Sequence, residues 1–268
     1  MSRPSFSRAL TLGLAGFLFV AASAEADELR VVSSGGFAAA YRALAPEFEH
    51  ESGVTLVSQW GPSMGNTPQA VPARLARGEP IDVVIMVGSA LGKLAAQGKV
   101  VADSCVELAR SGIGVAVREG APKPDIGSVA ALKRALLAAK SIAYSDSASG
   151  VYVSSEMFKR LGVADALAGK ARMIPAEPVG AVVARGEAEL GFQQMSELKP
   201  IPGVDIVGPL PSELQRMTIF SAGIVAGSSK PEEAKALIAF LASPAAAAAI
   251  RESGMEPMGG RPGDGCQR

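Results

Sequence analysis

The sequence predicts an α/β protein built as two lobes, each a mainly parallel sheet covered by helices, joined by crossing hinge strands. Short β-type runs alternate with segments of helical period along nearly the whole chain, which is the pattern of sheets covered by helices. The alternation falls into two series that meet near Gly112, and neither a low-complexity linker nor a repeat of fixed period separates them. Of the 268 residues, 48% are hydrophobic, which is enough apolar material for one large domain or two small ones.

In the first series Leu29–Val32, Thr55–Gln59 and Asp82–Val87 read as strands, with helices at Ala38–Glu51, Pro68–Arg77 and Ser89–Gln97. After Gly112 the strands fall near Gly114–Arg118, Ser141–Tyr144, Ala171–Ile174, Leu190–Phe192 and Asp205–Val207. Helices are expected there near Ser128–Ala139, Val151–Leu161 and Val179–Arg185. The apolar run Thr218–Ala226 then leads to a helix at Pro231–Leu241, where Pro231 suits a first helical turn, and to an Ala-rich helix at Ala245–Ser253. This places one lobe over 27–111 plus 218–258 and the other over 112–217, with Gly112–Arg118 and Thr218–Ala226 as hinge candidates. The Gly/Pro-rich end from Gly259 to Arg268 reads as a disordered tail.

Arg3 and Arg8 precede an apolar stretch from about Ala9 to Ala22, followed by Ala24-Glu25-Ala26. That is the pattern of an export signal over residues 1–26, and the stretch falls short of the roughly 20 apolar residues a spanning helix needs. The mature protein is expected outside the cytoplasm, in the periplasm, with no membrane segment. Two of the 26 basic and one of the 26 acidic residues leave with the signal, so the net charge becomes −1 and points to no nucleic-acid or acidic-membrane partner. Cys105 and Cys266 lack metal-site spacing and are expected as free thiols. His50 is the chain's single histidine and lies on the polar side of the first helix, which leaves no Ser–His triad, no His-based zinc site and no expected cofactor.

Three loops share one chemistry. Ser145-Asp-Ser-Ala-Ser-Gly-Val-Tyr152 joins a strand to a helix, Ser33-Ser-Gly-Gly36 follows the first strand, and Gly61-Pro-Ser-Met-Gly-Asn66 lies between a strand and a helix. Small hydroxyl and glycine residues at such junctions leave backbone N–H groups converging at a helix start, where the dipole favours negative charge. Together they predict a cleft between the lobes for one small anionic ligand with several prongs.

The strand–Ser/Gly–helix start at Val31–Phe37, the segment Leu75-Ala-Arg-Gly-Glu-Pro-Ile-Asp-Val83, the cradle Ala148-Ser-Gly-Val-Tyr152 and the ending Ile224–Leu241 carry a resemblance. The chain resembles the type II periplasmic binding protein fold of two Rossmann-like lobes, in its molybdate-binding branch. It departs from that branch where Ser33-Ser34-Gly35-Gly36 replaces an Ala-rich strand end, and where Phe192-Gln-Gln-Met-Ser196 lacks a tyrosine. Gly61-Pro-Ser-Met-Gly65, Tyr144–Tyr152 and Gly191-Phe-Gln-Gln-Met-Ser-Glu-Leu198 make it more similar to a proteobacterial subgroup that includes aconitate isomerase.

That resemblance implies a metal-free allylic proton shift on a tricarboxylate, which needs one shared base and donors for the dienolate charge. Ser33, Ser34 and Tyr152 are the catalytic candidates, with Asp146 as a carboxylate alternative. Gly35, Ser63, Met64, Gly65, Ser147, Ala148, Ser149, Gly150 and Val151 are expected to bind substrate, and Arg74 to give a planar two-pronged contact. Gln193 and Gln194 alternate along a strand, so at most one is expected to face the cleft. Ser33, Ser63 and Ser149 have a plainer reading as helix caps, Arg74 as a solvated face and Tyr152 as a packing residue. Trp60 walls the pocket or packs in the core. A carrier that hands an oxyanion or organic acid to an ABC permease is the second functional class, and both classes suit a monomer.

Overall fold

Almost every β-branched run becomes a strand in the computed structural model, which describes residues 28–65, 67–175 and 177–263. The strands are β1 Glu28–Ser33, β2 Thr55–Trp60, β3 Val83–Val87, β4 Val106–Ser111, β5 Ile113–Arg118, β6 Ile142–Ser145, β7 Ala171–Ile174, β8 Leu190–Gln194, β9 Val204–Pro209, β10 Thr218–Ile224 and β11 Glu256–Pro262. The α-helices are α1 Gly35–Ser52, α2 Val71–Ala76, α3 Gly88–Ala96, α4 Val129–Ala138, α5 Ala148–Tyr152, α6 Phe158–Arg160, α7 Ala164–Leu167, α8 Val179–Ala184, α9 Met195–Leu198, α10 Pro231–Leu241 and α11 Ala247–Glu252. A π-helical turn, Val153–Met157, joins α5 to α6.

The strands form two sheets, ordered β11-β4-β10-β3-β1-β2 and β7-β6-β8-β5-β9. Each keeps three parallel neighbours, β2-β1-β3 and β7-β6-β8. The remaining pairings, through β4, β10 and β11 in one sheet and β5 and β9 in the other, are antiparallel. The expectation of mainly parallel sheets is thereby corrected to mixed ones, because the chain crosses twice between sheets and each crossing strand enters against its neighbours. One crossing is the single residue Gly112 between β4 and β5, and the other is the segment from β9 to β10.

One face of the first sheet packs Leu29, Val31 and Ile85 against Phe37, Tyr41 and Leu44 of α1 and Leu237 and Leu241 of α10. Its other face packs Val32, Val84 and Met86 against Leu75, Leu91 and Leu94. The second sheet buries Ile113, Val115 and Phe192 with Leu132, Leu136 and Met157. Two apolar layers per sheet explain why β3 reads as an unbroken apolar run.

The expected tail is partly wrong. Gly259–Pro262 are edge-strand residues of β11 on β4, with a register shift between Pro257 and Arg261. An outer strand tolerates the missing N–H of Pro257 and Pro262, so a Gly/Pro-rich sequence does not preclude it. Residues 264–268 and the expected export signal lie outside the described residues. Cys105 is disulfide-bonded, which corrects the expectation of free thiols. Cys266 lies outside the described residues.

Candidate functional site

The C-terminal ends of β1 and β3 in one sheet and of β6 and β8 in the other face a cleft of about 590 Å³. From the first sheet's side it is lined by Ser34, Gly35, Ser63, Met64 and Gly65, and from the second by Ser147, Ala148, Gln193 and Gln194. Trp60 is also in the wall, 37% exposed, with the Arg42 guanidinium 4.1 Å from its ring centroid. Both glutamines border the cleft, against the expectation of one. β8 ends at Gln194 and α9 begins at the next residue, so strand alternation stops there.

Ser34 holds the N-cap position of α1 with extended backbone, yet its hydroxyl caps nothing. Its Oγ is buried and has no hydrogen-bond partner among the described residues. The Ser34 amide donates to the Ile85 carbonyl at 2.8 Å, which fixes the turn and leaves that hydroxyl at the head of an 18-residue helix. An orphaned buried hydroxyl costs about 1–3 kcal/mol, which an arriving acceptor relieves. Ser63 is no cap either. Its Oγ accepts from the Val87 amide at 2.9 Å, just ahead of α3, and its own proton is left to donate.

Six expected ligand contacts do not line the cleft. The Ser33 hydroxyl is buried and donates to the Ser34 carbonyl at 3.2 Å. Ser149 belongs to a closed hydroxyl triangle, 3.0 Å from Ser145 and 3.3 Å from Ser147. Gly150 serves packing, since a Cβ there would stand 1.6 Å from the Ser145 carbonyl oxygen. The Val151 amide is committed to the Ser147 carbonyl at 3.0 Å and its side chain is exposed. Tyr152 donates its hydroxyl to the Leu214 carbonyl at 2.7 Å and lies beneath Arg216, so it fastens α5 to the returning segment. Arg74 is buried against Glu79, with Nε donating to Oε2 at 2.9 Å, and reaches the Trp60 carbonyl at 3.5 Å. It is neither a ligand contact nor a solvated face, but a brace behind the cleft wall.

The sequence alone assigns no role to Glu197, whose carboxyl is raised toward neutrality. Glu197 lines the cleft from α9, whose Met195 and Ser196 amides donate to the Gly112 carbonyl and the Ser111 hydroxyl. The side chain is thus held at the crossing point of the two sheets. It reaches across to α1, and a Cβ on Gly35 would stand 2.6 Å from its Oε1. Burial pushes the carboxyl up to about 7; the Gln193 amide pulls it down and the Asp146 charge pushes it up again. The Val179 amide donates to Gln193 Oε1 at 2.8 Å, which turns the NH₂ of that amide away from Val179. Asp146, the carboxylate alternative, lines the same cleft. A base near neutrality and unused hydroxyl donors therefore share one enclosure, as proton abstraction beside a carboxylate requires. The run Gln193-Gln-Met-Ser-Glu197 carried the signal, an acid one helical turn beyond a strand end.

The family model for bacterial extracellular solute-binding proteins matches residues 29–256. An aconitate isomerase from a Pseudomonas species is 54% identical over 261 residues, spanning 96% of this chain and all of that one. The solved periplasmic molybdate-binding protein of Azotobacter vinelandii has a TM-score of 0.69 at 23% identity, over 85% of this chain and 98% of that one. The sulfate-binding protein SubI of Mycobacterium tuberculosis has a TM-score of 0.65 at 20% identity, over 87% of both chains. The two solved structures speak for the fold: the type II solute-binding arrangement of two α/β lobes.

Proposed function

The chain belongs to the family of bacterial extracellular solute-binding proteins, and we propose that its cleft has the activity of an isomerase, interconverting trans- and cis-aconitate by an allylic proton shift. The observation that carries this reading is the Glu197 carboxyl, raised to about 7, standing in one cleft with the unpartnered hydroxyl of Ser34. Identity of 54% to a Pseudomonas protein named aconitate isomerase supplies the substrate.

In the forward direction ionised Glu197 takes a proton from the methylene carbon of trans-aconitate. The electron pair of that C–H bond becomes a dienolate delocalised toward the far carboxylate. Ser34, Ser63 and the amides at the start of α1 hold the carboxylates and the developing charge. Glu197 then returns the proton two carbons away, at the former alkene carbon. The double bond now lies where the methylene was, and the product is again an aconitate. Its geometry follows from how the cleft holds the carboxylate on the carbon that lost the proton. A base near 7 suits this task better than an ordinary carboxylate, whose weaker basicity makes abstraction from carbon steeper.

The lobes, residues 27–111 with 218–258 and residues 112–217, close on the substrate by bending at Gly112 and at the segment before β10, and closure excludes water. Export by a cleaved signal over residues 1–26 places the reaction in the periplasm, with the protein as a monomer.

Ultraviolet absorbance of the purified protein with trans-aconitate tests the activity, because the two isomers absorb differently. Conversion is expected. Tight binding with unchanged absorbance favours the second reading, a carrier serving an ABC permease, which the family description supports. Substrate deuterated at its methylene separates the proposed shift from simple rotation about the double bond. The shift moves or loses a deuteron, and rotation retains both.

A further inference from the structure

We propose that the cleft takes up its polycarboxylate ligand together with a proton, which settles on Glu197. This rests on the tricarboxylate reading and adds to it the protonation state in which the ligand is held. The ionisable side chains among the described residues lining the cleft are Asp146, Glu177 and Glu197, and none is basic. Arg185 offsets Glu177, with two contacts of 3.1 Å to its two oxygens. Glu197 stands in this lining opposite the start of α1. Around Glu197 itself, α1 contributes the start of its helix at Gly35, β8 the Gln193 amide, and the β6–α5 turn the Asp146 carboxylate.

The magnitudes favour proton uptake over charge neutralisation by the fold. Two like charges about 4 Å apart repel by roughly 1 kcal/mol in water and roughly 4 kcal/mol at an effective dielectric of about 20. A helix start contributes only about half a positive charge. The starts of α1 and α3 therefore fall short of a tricarboxylate added to an ionised Glu197. Protonating Glu197 removes one repelling charge, and burial has already raised that carboxyl. Turnover then runs through the fraction of complex in which Glu197 has lost that proton. The acid limb of kcat consequently lies at higher pH than that of kcat/KM, which reports the free enzyme.

Calorimetry of the mature protein with propane-1,2,3-tricarboxylate, which has no double bond to move, tests the coupling in two buffers of different ionisation enthalpy. Near about pH 8 the wild type is expected to take up between about half a proton and one proton per ligand, and its affinity to fall by up to about tenfold per pH unit above about 7. Glu197→Gln is expected to bind with no uptake and a flat pH dependence. An infrared difference spectrum of the wild type reads the same event without a variant, as a protonated carboxyl band that appears on ligand addition. Binding without uptake, a missing band, or uptake that persists in Glu197→Gln overturns this inference and leaves the tricarboxylate reading standing. Failure of the wild type to bind either this probe or trans-aconitate overturns that reading, and the inference with it.

Discussion

Two serine-rich turns of nearly the same composition end in opposite states. In the turn from β1 to α1, the hydroxyl of Ser34 is buried at the cleft without a partner among the described residues. In the turn from β6 to α5, Ser145, Ser147 and Ser149 bond to one another at 2.8–3.3 Å, and only Ser147 borders the cleft. The first turn stores an unmet hydrogen-bonding demand and the second has met its own. Sequence composition marks where an anion cradle can form, while the readiness of each hydroxyl depends on tertiary neighbours.

The largest effect expected from breaking this arrangement falls on Glu197 rather than on either turn. Glu197→Gln should lower kcat for aconitate isomerisation by about 10²–10⁴-fold, the usual contribution of a positioned acid–base group. Tyr152→Phe, which removes the bond to the Leu214 carbonyl and the one accepted from Arg160 Nη1, should leave kcat within a few-fold and lower the melting temperature instead. Steady-state assays beside thermal melts separate the two roles.

Next in size is the contrast between the turns. Ser34→Ala should weaken tricarboxylate binding by roughly 1–3 kcal/mol, through loss of a charge-assisted hydrogen bond, with little loss of stability because its hydroxyl has no partner among the described residues. Ser149→Ala should do the reverse, costing about 1 kcal/mol of stability and leaving Kd nearly unchanged. Titration calorimetry with denaturant melts on the same variants reads both. Equal losses of affinity would erase the distinction between the turns.

A smaller effect concerns pH and stability. Glu197 has a carboxyl near 7 when folded against an ordinary 4.5, so the native state holds the extra proton between those values. Its contribution is fully present below about 4.5 and is lost as pH rises through about 7, by roughly 1–3 kcal/mol. Denaturant melts across that range should show the decline in the wild type and a flatter profile in Glu197→Gln.

Much of the fold was legible because its strands announce themselves. β1, β2 and β3 carry β-branched runs bounded by turn residues, and α10 begins on Pro231 at a first helical position. β4 was not legible, because its buried positions include Glu107 and Ser111 and so break the apolar pattern expected of a strand between two partners. β11 was hidden by its prolines and glycines, which only an edge position permits. Within the site, the small polar loops located the cleft, but three kinds of information were out of reach. Arg74 could not be assigned to Glu79 rather than a ligand without the path from α2 to β3. The Ser149 hydroxyl could not be known to close on Ser145. Glu197 gains its raised carboxyl from burial where two sheets meet, a property of the crossing at Gly112 and not of the residues beside it.

The account turns on one ligand lying between the start of α1 and Glu197. A crystal structure with propane-1,2,3-tricarboxylate bound tests this most directly. The expected result is a carboxylate within about 2.6–3.2 Å of the Ser34 hydroxyl, with a methylene carbon about 3–3.5 Å from a Glu197 carboxyl oxygen. A ligand seated elsewhere in the cleft, with Ser34 still unpartnered and Glu197 remote from every methylene, would contradict it.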